Sequence, residues 1–431
     1  MAPWSNVSQK WGHPAHSICS YLGTFPPILV RYLIESFTDP GDLVVDPFSG
    51  RGTTLLEARI ARRRAYGSDL NPISIALSRA NSFQATTERC LQRLAALEKS
   101  FDMSLYLTPA IYESEQIKLL FHPKTLAQLI YLSKKISTSE SAEDAVLLGA
   151  LLGVLHGGER KDGSSAYASI AMPNTFSMSP GYVRKYVSEK HLEQKERNVF
   201  DLVRDKVKKL APDSLHSLPE AVVATCDAKS LSQCEKFRIK SEKPALIVGS
   251  PPYLNIVNYA KQNWIRMWLL RREVPEVHGL LDDNHSMSAW LDFMERSIDE
   301  FKSVLRPDGV IALVIGDVVR GGNVACPARE LIRRLVQKEA FGFFGCISDD
   351  LDVREKVTRI WKKTKGKATA VDRVVVLSDE RPAINSDWLS KIEVKGLAQA
   401  PMSADEMVDE AERLVGFSIR AHMRGSEIIN F

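Results

Sequence analysis

Short apolar runs recur along the chain and alternate with longer stretches of helical periodicity. The runs are rich in Val, Ile and Ala and are bounded by turn residues, which predicts buried β-strands. They lie near Leu43–Phe48, Ala65–Leu70, Ala221–Asp227, Ala245–Ser250, Val310–Asp317, Phe341–Ile347 and Arg373–Ser378. Seven strands with helices between most of them predict an α/β fold, in which a mostly parallel sheet is doubly wound.

Helix signals flank the first two strands. A proline pair precedes an amphipathic helix over Ile28–Ile34, and Thr54–Arg64 supplies the crossover to the second strand. After that strand, Asn71 and Pro72 provide an N-cap and a first helical position, so a helix is expected from Ile73.

A long segment between Ala80 and Pro219 contains no convincing strand. Its periodicity is helical, and its length exceeds that of a crossover, so it predicts a separate, mostly helical unit. The predicted division is a discontinuous sheet domain over 1–80 and 216–380, a helical insertion over 81–215, and a C-terminal extension over 381–431.

Composition predicts a soluble globular protein, with 44% hydrophobic and 26% charged residues among 431. No apolar run approaches the ~20 residues that span a bilayer. The first residues have neither a basic nor an apolar secretion signal, and the six cysteines form no CxxC pair. We therefore expect reduced thiols, a cytoplasmic location in a bacterial or archaeal cell, and association with the nucleoid.

Charge alone does not identify a partner, because the formal net charge is only +4. Basic residues cluster at Arg59–Arg64 and Arg354–Lys367. Each run taken alone is typical of a solvated helix face, and a DNA partner would turn one or two of them into phosphate contacts. His13 and His16 have no accompanying ligand pair, so a structural or surface role is expected and no metal site.

Polar side chains end several of the predicted strands: Asp46, Asp69, Asp227, Ser250 and Asp317. Ligands of open α/β sheets bind at this edge. Buried carboxylates are costly unless donors reach them, and a nucleoside with amino and hydroxyl groups would supply such donors. The alternative for each aspartate is a helix N-cap after a strand.

The first strand runs into Asp46-Pro47-Phe48-Ser49-Gly50-Arg51-Gly52-Thr53-Thr54 and then into a helix. Glycines at this turn let a ligand approach the backbone closely. The dinucleotide fingerprint needs a third glycine where Leu55 stands, and the phosphate-binding loop needs Gly-Lys-Ser/Thr. The pattern therefore indicates a loop for a nucleoside cofactor and not a phosphate loop.

A second turn, Ser250-Pro251-Pro252-Tyr253, follows the fourth predicted strand. Two prolines fix φ and remove two N–H donors, so the carbonyls there have little freedom beside a hydroxyl and a planar ring. This arrangement suits the binding of a flat amino group. The alternative is a plain Pro-Pro turn with a packing tyrosine.

Together these two motifs resemble those of the amino-methyltransferases that use S-adenosylmethionine to methylate exocyclic nitrogens of DNA bases. The resemblance covers Thr24 to about Ala80 and Ala221 to about Ser378, and it implies the Rossmann-like methyltransferase fold. Serine as the first residue of the tetrapeptide resembles the cytosine-N4 enzymes, whereas aspartate is commoner in the adenine-N6 enzymes. Adenine-N6 methylation, RNA methylation and a catalytically silent nucleic-acid-binding partner remain alternatives.

The resemblance also implies roles for individual residues in binding the cofactor. Asp46 would lie near the methionine amino group, Asp69 would bind the ribose hydroxyls, and Asp227 would approach the adenine amino group. Thr24 and Phe25 would close over the methionine end, although core packing of Phe25 is equally plausible. The residues expected to shape the loop are Phe48, Gly50, Gly52 and Thr53.

In the implied mechanism the target base flips out of the duplex. The Ser250 side chain and the Pro251 carbonyl would accept hydrogen bonds from its amino group, and Tyr253 would stack on the base beside Pro252. The implied partner is double-stranded DNA, with the insertion as the probable recognition domain and a restriction nuclease as a possible companion; the oligomeric state stays open. After the tetrapeptide, aromatic residues interleaved with cations, among them Tyr259, Trp264 and Trp268, could stack an unpaired base, but core packing is favoured for the two tryptophans.

Overall fold

A computed structural model describes most of the chain. The described residues are 11–21, 23–82, 84–159, 164–173, 177–219, 221–237, 241–254, 259–281, 286–320, 323–350 and 368–382. The basic run Arg354–Lys367 and nearly all of the predicted C-terminal extension lie outside them.

A single sheet organises the described residues. Its strands are β1 (Leu43–Asp46), β2 (Arg64–Asp69), β3 (Ala221–Thr225), β4 (Leu246–Gly249), β5 (Val310–Arg320), β6 (Asn323–Ala325), β7 (Phe343–Asp350) and β8 (Ala368–Ser378). The order is β3-β2-β1-β4-β5-β8-β7, and β6 pairs with β5. Neighbours from β3 to β5 run parallel, whereas β8 lies antiparallel between β5 and β7. The seven predicted strands and the mostly parallel sheet are confirmed, and β6 was not predicted.

Helices cover the sheet and fill the insertion. They are α1 (Pro27–Phe37), α2 (Thr53–Ile60), α3 (Pro72–Ala80), α4 (Thr87–Lys99), α5 (Met103–Ile111), α6 (Glu115–Lys118), α7 (Pro123–Ile136), α8 (Ala142–Val154), α9 (Pro180–Lys190), α10 (Val199–Leu210), α11 (Trp264–Leu269), α12 (Val274–Leu280), α13 (Met287–Val304) and α14 (Pro327–Gln337). Short 3₁₀ turns occupy Pro14–Ser17, Pro212–Leu215, Ala228–Gln233 and Lys261–Asn263. Among the described residues, no helix is long and apolar enough to cross a membrane.

The two faces of the sheet bury alternate residues of each strand, as the pleat requires. In β1, Val44 packs in one core with side chains of α1 and α2. Leu43 and Val45 belong to the opposite core, which α13 and α14 complete. Helices therefore cover both faces, and this is the doubly wound arrangement of the Rossmann-like methyltransferase fold.

The insertion is helical, as predicted, and its helices α4–α10 share one hydrophobic core. That core also takes in Ile73 and Leu77 of α3, and Ile265 and Met267 of α11. The insertion thus packs against elements that directly follow β2 and the Ser-Pro-Pro-Tyr turn.

Two arginines of the basic run Arg59–Arg64 are buried, so the expectation of a solvated face or phosphate contacts is wrong for them. The Arg59 guanidinium is 0% exposed and donates to the carbonyls of Asn81, Leu215 and Pro219. Arg63 is 4% exposed and binds both the hydroxyl and the carbonyl of Thr38. Arg59 thereby joins α2 to both ends of the insertion.

We expect Gly153→Ala to destabilise the protein. Gly153 lies in α8, where a Cβ would overlap the carbonyl oxygen of Ile18. Because backbone must move to relieve that overlap, the free energy of unfolding should fall by about 1–3 kcal/mol, measured by urea denaturation. In the matched control Gly181→Ala, a Cβ meets nothing within 4 Å on α9. That control should be neutral or stabilising by up to about 1 kcal/mol, and equal effects of the two changes would contradict the packing argument.

Candidate active site

A cleft opens at the carboxyl ends of β1 to β4. It holds about 670 Å³ of space, part of it open to solvent, within the roughly 300–1,000 Å³ typical of ligand pockets. Six of the predicted site residues line it: Phe48, Gly50, Asp69, Asp227, Ser250 and Pro252. The predicted cofactor loop and the predicted catalytic turn therefore meet in one cleft.

Asp69 ends β2 and organises the glycine loop. Its Oδ2 accepts the Gly50 N–H at 3.0 Å, and its Oδ1 accepts the Asn71 N–H at 2.9 Å. Gly52 has φ +82°, and a Cβ there would lie 2.9 Å from Cα of Ser78 on α3. The loop thus requires glycine at this position for both its conformation and its packing. Burial raises the pKa of Asp69 despite these hydrogen bonds.

Asp46 ends β1 and is almost fully buried. Its Oδ1 accepts the Phe48 N–H at 2.9 Å. Burial raises the pKa of Asp46 to about 7; the Thr54 side chain and the hydrogen bond from the Phe48 N–H lower it in part, while the charge of Asp69 raises it further. A Cβ on Gly249 of β4 would lie 2.7 Å from this Oδ1, so the neighbouring strand leaves room for the carboxyl by having no side chain. A cationic group near Asp46 would favour its ionised form.

Asp227 both lines the cleft and caps a helix. Its Oδ1 accepts the Lys229 N–H at 2.9 Å at the start of the 3₁₀ turn Ala228–Gln233. The Lys229 ammonium lies 3.3 Å from the Asp227 Oδ2. The N-cap alternative and a position in the cleft wall are therefore compatible, because only one carboxylate oxygen accepts the cap.

Several predicted cofactor residues lie behind the cleft wall. Phe25 is buried in the same core as α1, in agreement with its packing alternative. Thr24 donates weakly to the Tyr21 carbonyl at 3.5 Å. Thr53 is 4% exposed at the start of α2. Cofactor contacts by these residues stay predictions.

The Ser250-Pro251-Pro252-Tyr253 turn is anchored to two neighbouring elements. The Ser250 hydroxyl donates to the Val314 carbonyl of β5 at 3.2 Å. The Trp290 indole N–H of α13 donates to the Pro252 carbonyl at 2.8 Å. The prolines thus restrict the backbone of the turn, and hydrogen bonds at Ser250 and Pro252 fix its position.

Two glycines flank the Tyr253 ring at opposite edges. A Cβ on Gly316 would lie 2.8 Å from Cε1 of Tyr253, and one on Gly23 would lie 3.3 Å from Cε2. Burial, and secondarily the charge of Asp372, raise the pKa of Tyr253 well above its usual value. The ring is therefore held at its edges and stays protonated at neutral pH.

The cleft wall includes Tyr259, one of the aromatic residues that the sequence offered for stacking an unpaired base, and three residues of functional character that sequence reasoning missed: Tyr21, Asn71 and Phe293. The Tyr21 hydroxyl contacts Ser74 Oγ and accepts from the Asn71 amide, both at 2.8 Å. The Tyr21 and Tyr259 rings stack with centroids 6.1 Å apart. Asn71 was assigned only its N-cap role, which the structure also shows. Tyr21 lies three residues before Thr24, so its closeness to a predicted cofactor residue could have indicated it. No sequence motif near Phe293 of α13 indicates a role in the cleft.

Other candidates from the sequence have structural partners. Asp317 pairs with Arg373 through two hydrogen bonds of 3.0 and 2.8 Å. His16 contacts Glu57 at 2.5 Å. The Trp264 indole donates to the Met178 carbonyl, and Trp268 stacks on Phe121. Within the part of the chain that the structure describes, no His/Cys/Asp/Glu cluster could hold a metal.

A family model matches the chain in two segments. The model N6_N4_Mtase, described as DNA methylase, matches residues 3–79 and 245–387, just over half of the chain. The two segments contain both motifs of the cleft and leave out the helical insertion.

Individual relatives match over shorter stretches. The chain is 38% identical over 77 residues to the Type II methyltransferase M.XycI of Xanthomonas campestris pv. cyanopsidis, covering 18% of this chain and 25% of that protein. It is 27% identical over 131 residues to the Type II methyltransferase M.MjaII of Methanocaldococcus jannaschii, covering 30% and 25%. The chain thus spans about a quarter of the length of these relatives.

A solved structure gives a weak overall likeness. The type I restriction-modification methyltransferase subunit from Streptococcus thermophilus aligns over 94% of this chain and 60% of its own, at 10% identity and a TM-score of 0.33. A TM-score this low supports no conclusion, and the assignment of the fold rests on the order of the strands in the sheet.

The raised pKa of Asp46 predicts a specific pH dependence of stability. The folded state binds a proton that the unfolded state releases near pH 4, so the free energy of unfolding should fall as the pH rises from about 4 to 7. Relative to Asp46→Asn, the wild type should lose roughly 2 to 4 kcal/mol over this range, measured by urea denaturation. The exposed Asp308→Asn control should keep the wild-type dependence, and a parallel profile for Asp46→Asn would contradict the assignment.

Proposed function

This chain belongs to the N6/N4 DNA methylase family, and on that premise we propose that it methylates the N4 amino group of cytosine in DNA. The methyl donor of the family is S-adenosylmethionine. One observation carries the proposal: a carboxylate-bearing cleft and an anchored Ser-Pro-Pro-Tyr turn occupy the same edge of the sheet.

The residues of the cleft fit the cofactor. Asp46 and Asp69 have raised pKa values because they are desolvated, and an amino group or ribose hydroxyls would supply further donors to them. In the proposed complex Asp46 holds the methionine amino group, Asp69 the ribose, and Asp227 the adenine amino group. When bound, the cofactor supplies an electrophilic methyl group on a sulfonium.

The protein's contribution is orientation of a poor nucleophile. The lone pair of an exocyclic amino group is delocalised into the base ring. Because the Ser250 hydroxyl hydrogen is directed to Val314, the oxygen lone pairs can accept an amino N–H. The Pro251 carbonyl would accept the second N–H, while the bond from Trp290 to Pro252 keeps the turn in place. Two acceptors localise the lone pair and fix its direction.

Tyr253 would stack on the flipped base. Its edges lie against Gly23 and Gly316, and the absence of side chains at these two positions leaves room for the ring. Removing the base from the duplex costs roughly a few kcal/mol, and stacking on an aromatic ring offsets about 1–3 kcal/mol of it.

Serine in place of aspartate supports cytosine as the target. The helical insertion is proposed to recognise the DNA sequence, because its core joins α3 and α11 on either side of the cleft. Two relatives are named as Type II methyltransferases, which supports a role beside a restriction nuclease.

Product analysis tests the proposed function. The purified protein is incubated with methyl-tritiated cofactor and mixed DNA, and the DNA is digested to nucleosides for mass spectrometry. N4-methylcytosine is the expected product. N6-methyladenine would overturn the choice of base, and transfer only to RNA would overturn the choice of nucleic acid. Cofactor binding without any transfer would identify a silent partner.

Ser250→Ala should separate transfer from cofactor binding. The loss of one acceptor at the amino group is expected to lower the single-turnover rate on the order of 100-fold or more. The dissociation constant for the cofactor, measured by calorimetry, should change less than about 3-fold, because Ser250 is proposed to bind the amino group of the base and not the cofactor.

Asp69→Ala serves as the converse control. It removes the hydrogen bonds to Gly50 and Asn71, so it should weaken cofactor binding at least about 10-fold. Wild-type transfer by Ser250→Ala, or unchanged cofactor affinity in Asp69→Ala, would refute the respective assignment.

A further inference from the structure

A carboxylate that is distant in sequence lies beside the tetrapeptide. Gly316 of β5 and Asp372 of β8 are directly opposite in the antiparallel register. A Cβ on Gly316 would lie 3.0 Å from the Asp372 Oδ1 and 2.8 Å from Cε1 of Tyr253. Asp372 and the Tyr253 ring edge therefore share the space above one glycine.

The neutral tetrapeptide lacks a group to take up a proton. Methylation of an amino group leaves a positive charge on nitrogen until one N–H proton departs, and neither a serine nor a tyrosine hydroxyl holds an extra proton at neutral pH. Asp317 is engaged by Arg373 through two hydrogen bonds. Asp46 is 1% exposed and, in the proposed complex, is paired with the methionine amino group. Among the described carboxylates at this end of β4 and β5, Asp372 is the one that lies against Tyr253.

We propose that Asp372 takes up the proton that the target amino group loses, through the hydroxyls of Ser250 and Tyr253. This inference rests on the proposed function. The tetrapeptide supplies the two hydroxyls, and the last antiparallel pair of the sheet supplies the carboxylate.

The nitrogen lone pair forms the N–C bond while the methyl–sulfur bond breaks and its electron pair stays on sulfur. One N–H proton moves to Ser250 Oγ, the serine hydroxyl turns its own proton from the Val314 carbonyl to the Tyr253 oxygen, and the phenol proton moves to the Asp372 carboxylate. Asp372 afterwards releases its proton to water, which restores the starting state.

The surroundings of the phenol suit this role. Burial and the Asp372 charge raise the pKa of Tyr253, so its hydroxyl carries a proton to pass on, while the nearby Ser250 side chain lowers that pKa in part. The other titratable neighbours are the Tyr259 hydroxyl, 2.6 Å from a Cβ on Gly23, and Arg373 with its partner Asp317. Asp349 of β7 pairs with Asp372 in the backbone register.

A double-mutant cycle tests the proposal. Tyr253→Phe keeps the ring and removes the hydroxyl, and Asp372→Asn keeps the shape and removes the charge. Each should lower the single-turnover rate about 10- to 100-fold, and the double variant should be no slower than the slower single variant. The wild-type rate should fall at acid pH as Asp372 becomes protonated, and this limb should vanish in both single variants. Additive losses with an unchanged pH profile would overturn the proposal and leave Asp372 a packing role.

A second measurement does not depend on transfer. With ¹³Cζ-tyrosine labelling, NMR follows the chemical shift of Tyr253 through an acid pH titration of the protein without cofactor, and its signal is assigned by its absence in Tyr253→Phe. Asp372→Asn should abolish the change in this shift that accompanies protonation of Asp372, because the titrating negative charge beside the ring is removed. An unchanged titration would overturn the contact between the two groups.

Asp379→Asn is the matched control. Asp379 directly follows β8 at the opposite end of the strand and pairs with Lys302. It should leave the rate, the pH profile and the Tyr253 titration unchanged; a loss equal to that of Asp372→Asn would overturn the specific assignment. If the wild type transfers no methyl group, the proposed function fails while the NMR titration still tests the contact.

Discussion

The burial of two carboxylates at adjacent strand ends is the constraint on which the rest of the site depends. Asp46 and Asp69 have raised pKa values, so the fold sustains an electrostatic cost at the carboxyl ends of β1 and β2. Backbone N–H groups of Phe48, Gly50 and Asn71 offset part of this cost. These donors reach the carboxylates only if the loop turns through Gly50 and Gly52 with positive φ and if Gly249 leaves space beside Asp46. A cluster that is expensive to maintain without a ligand is suited to a ligand that brings donors and positive charge.

The same edge of the sheet also fixes the second half of the site. Parallel pairing of β1 with β4 brings the two turns together. The tetrapeptide is then held by β5 through Val314 and by α13 through Trp290. Antiparallel β8 completes the edge, since its register places Asp372 across from Gly316. The geometry of the Ser-Pro-Pro-Tyr turn is thus determined by pairings between distant segments and not by the prolines alone.

Much of this could be predicted from the sequence where the signal is local. The apolar runs predicted the seven main strands, and Asp-Pro-Phe-x-Gly-x-Gly together with Ser-Pro-Pro-Tyr identified the cleft. The burial of Arg59 and Arg63 was not predicted because a run of arginines is typical of a protein surface. Here backbone carbonyls of distant segments accept hydrogen bonds from both guanidinium groups. Tyr21 and Phe293 were missed because tertiary packing alone brings them to the wall. The three-residue β6 is too short to produce a periodic signal.

The identity of the first tetrapeptide residue has a consequence for where the proton must go. An aspartate at this position would carry both the acceptor for the amino group and a base. Serine keeps the acceptor but has no charge, so the base must be supplied elsewhere, and it must stand close without disturbing the anchored turn. An antiparallel strand next to β5 meets this requirement, because the direct opposition of Gly316 and Asp372 places a carboxylate beside the Tyr253 ring while the glycine leaves room for both. Under the proposed function, separating the amino-group acceptor from the base in this way would let a neutral turn serve the same chemistry as a charged one.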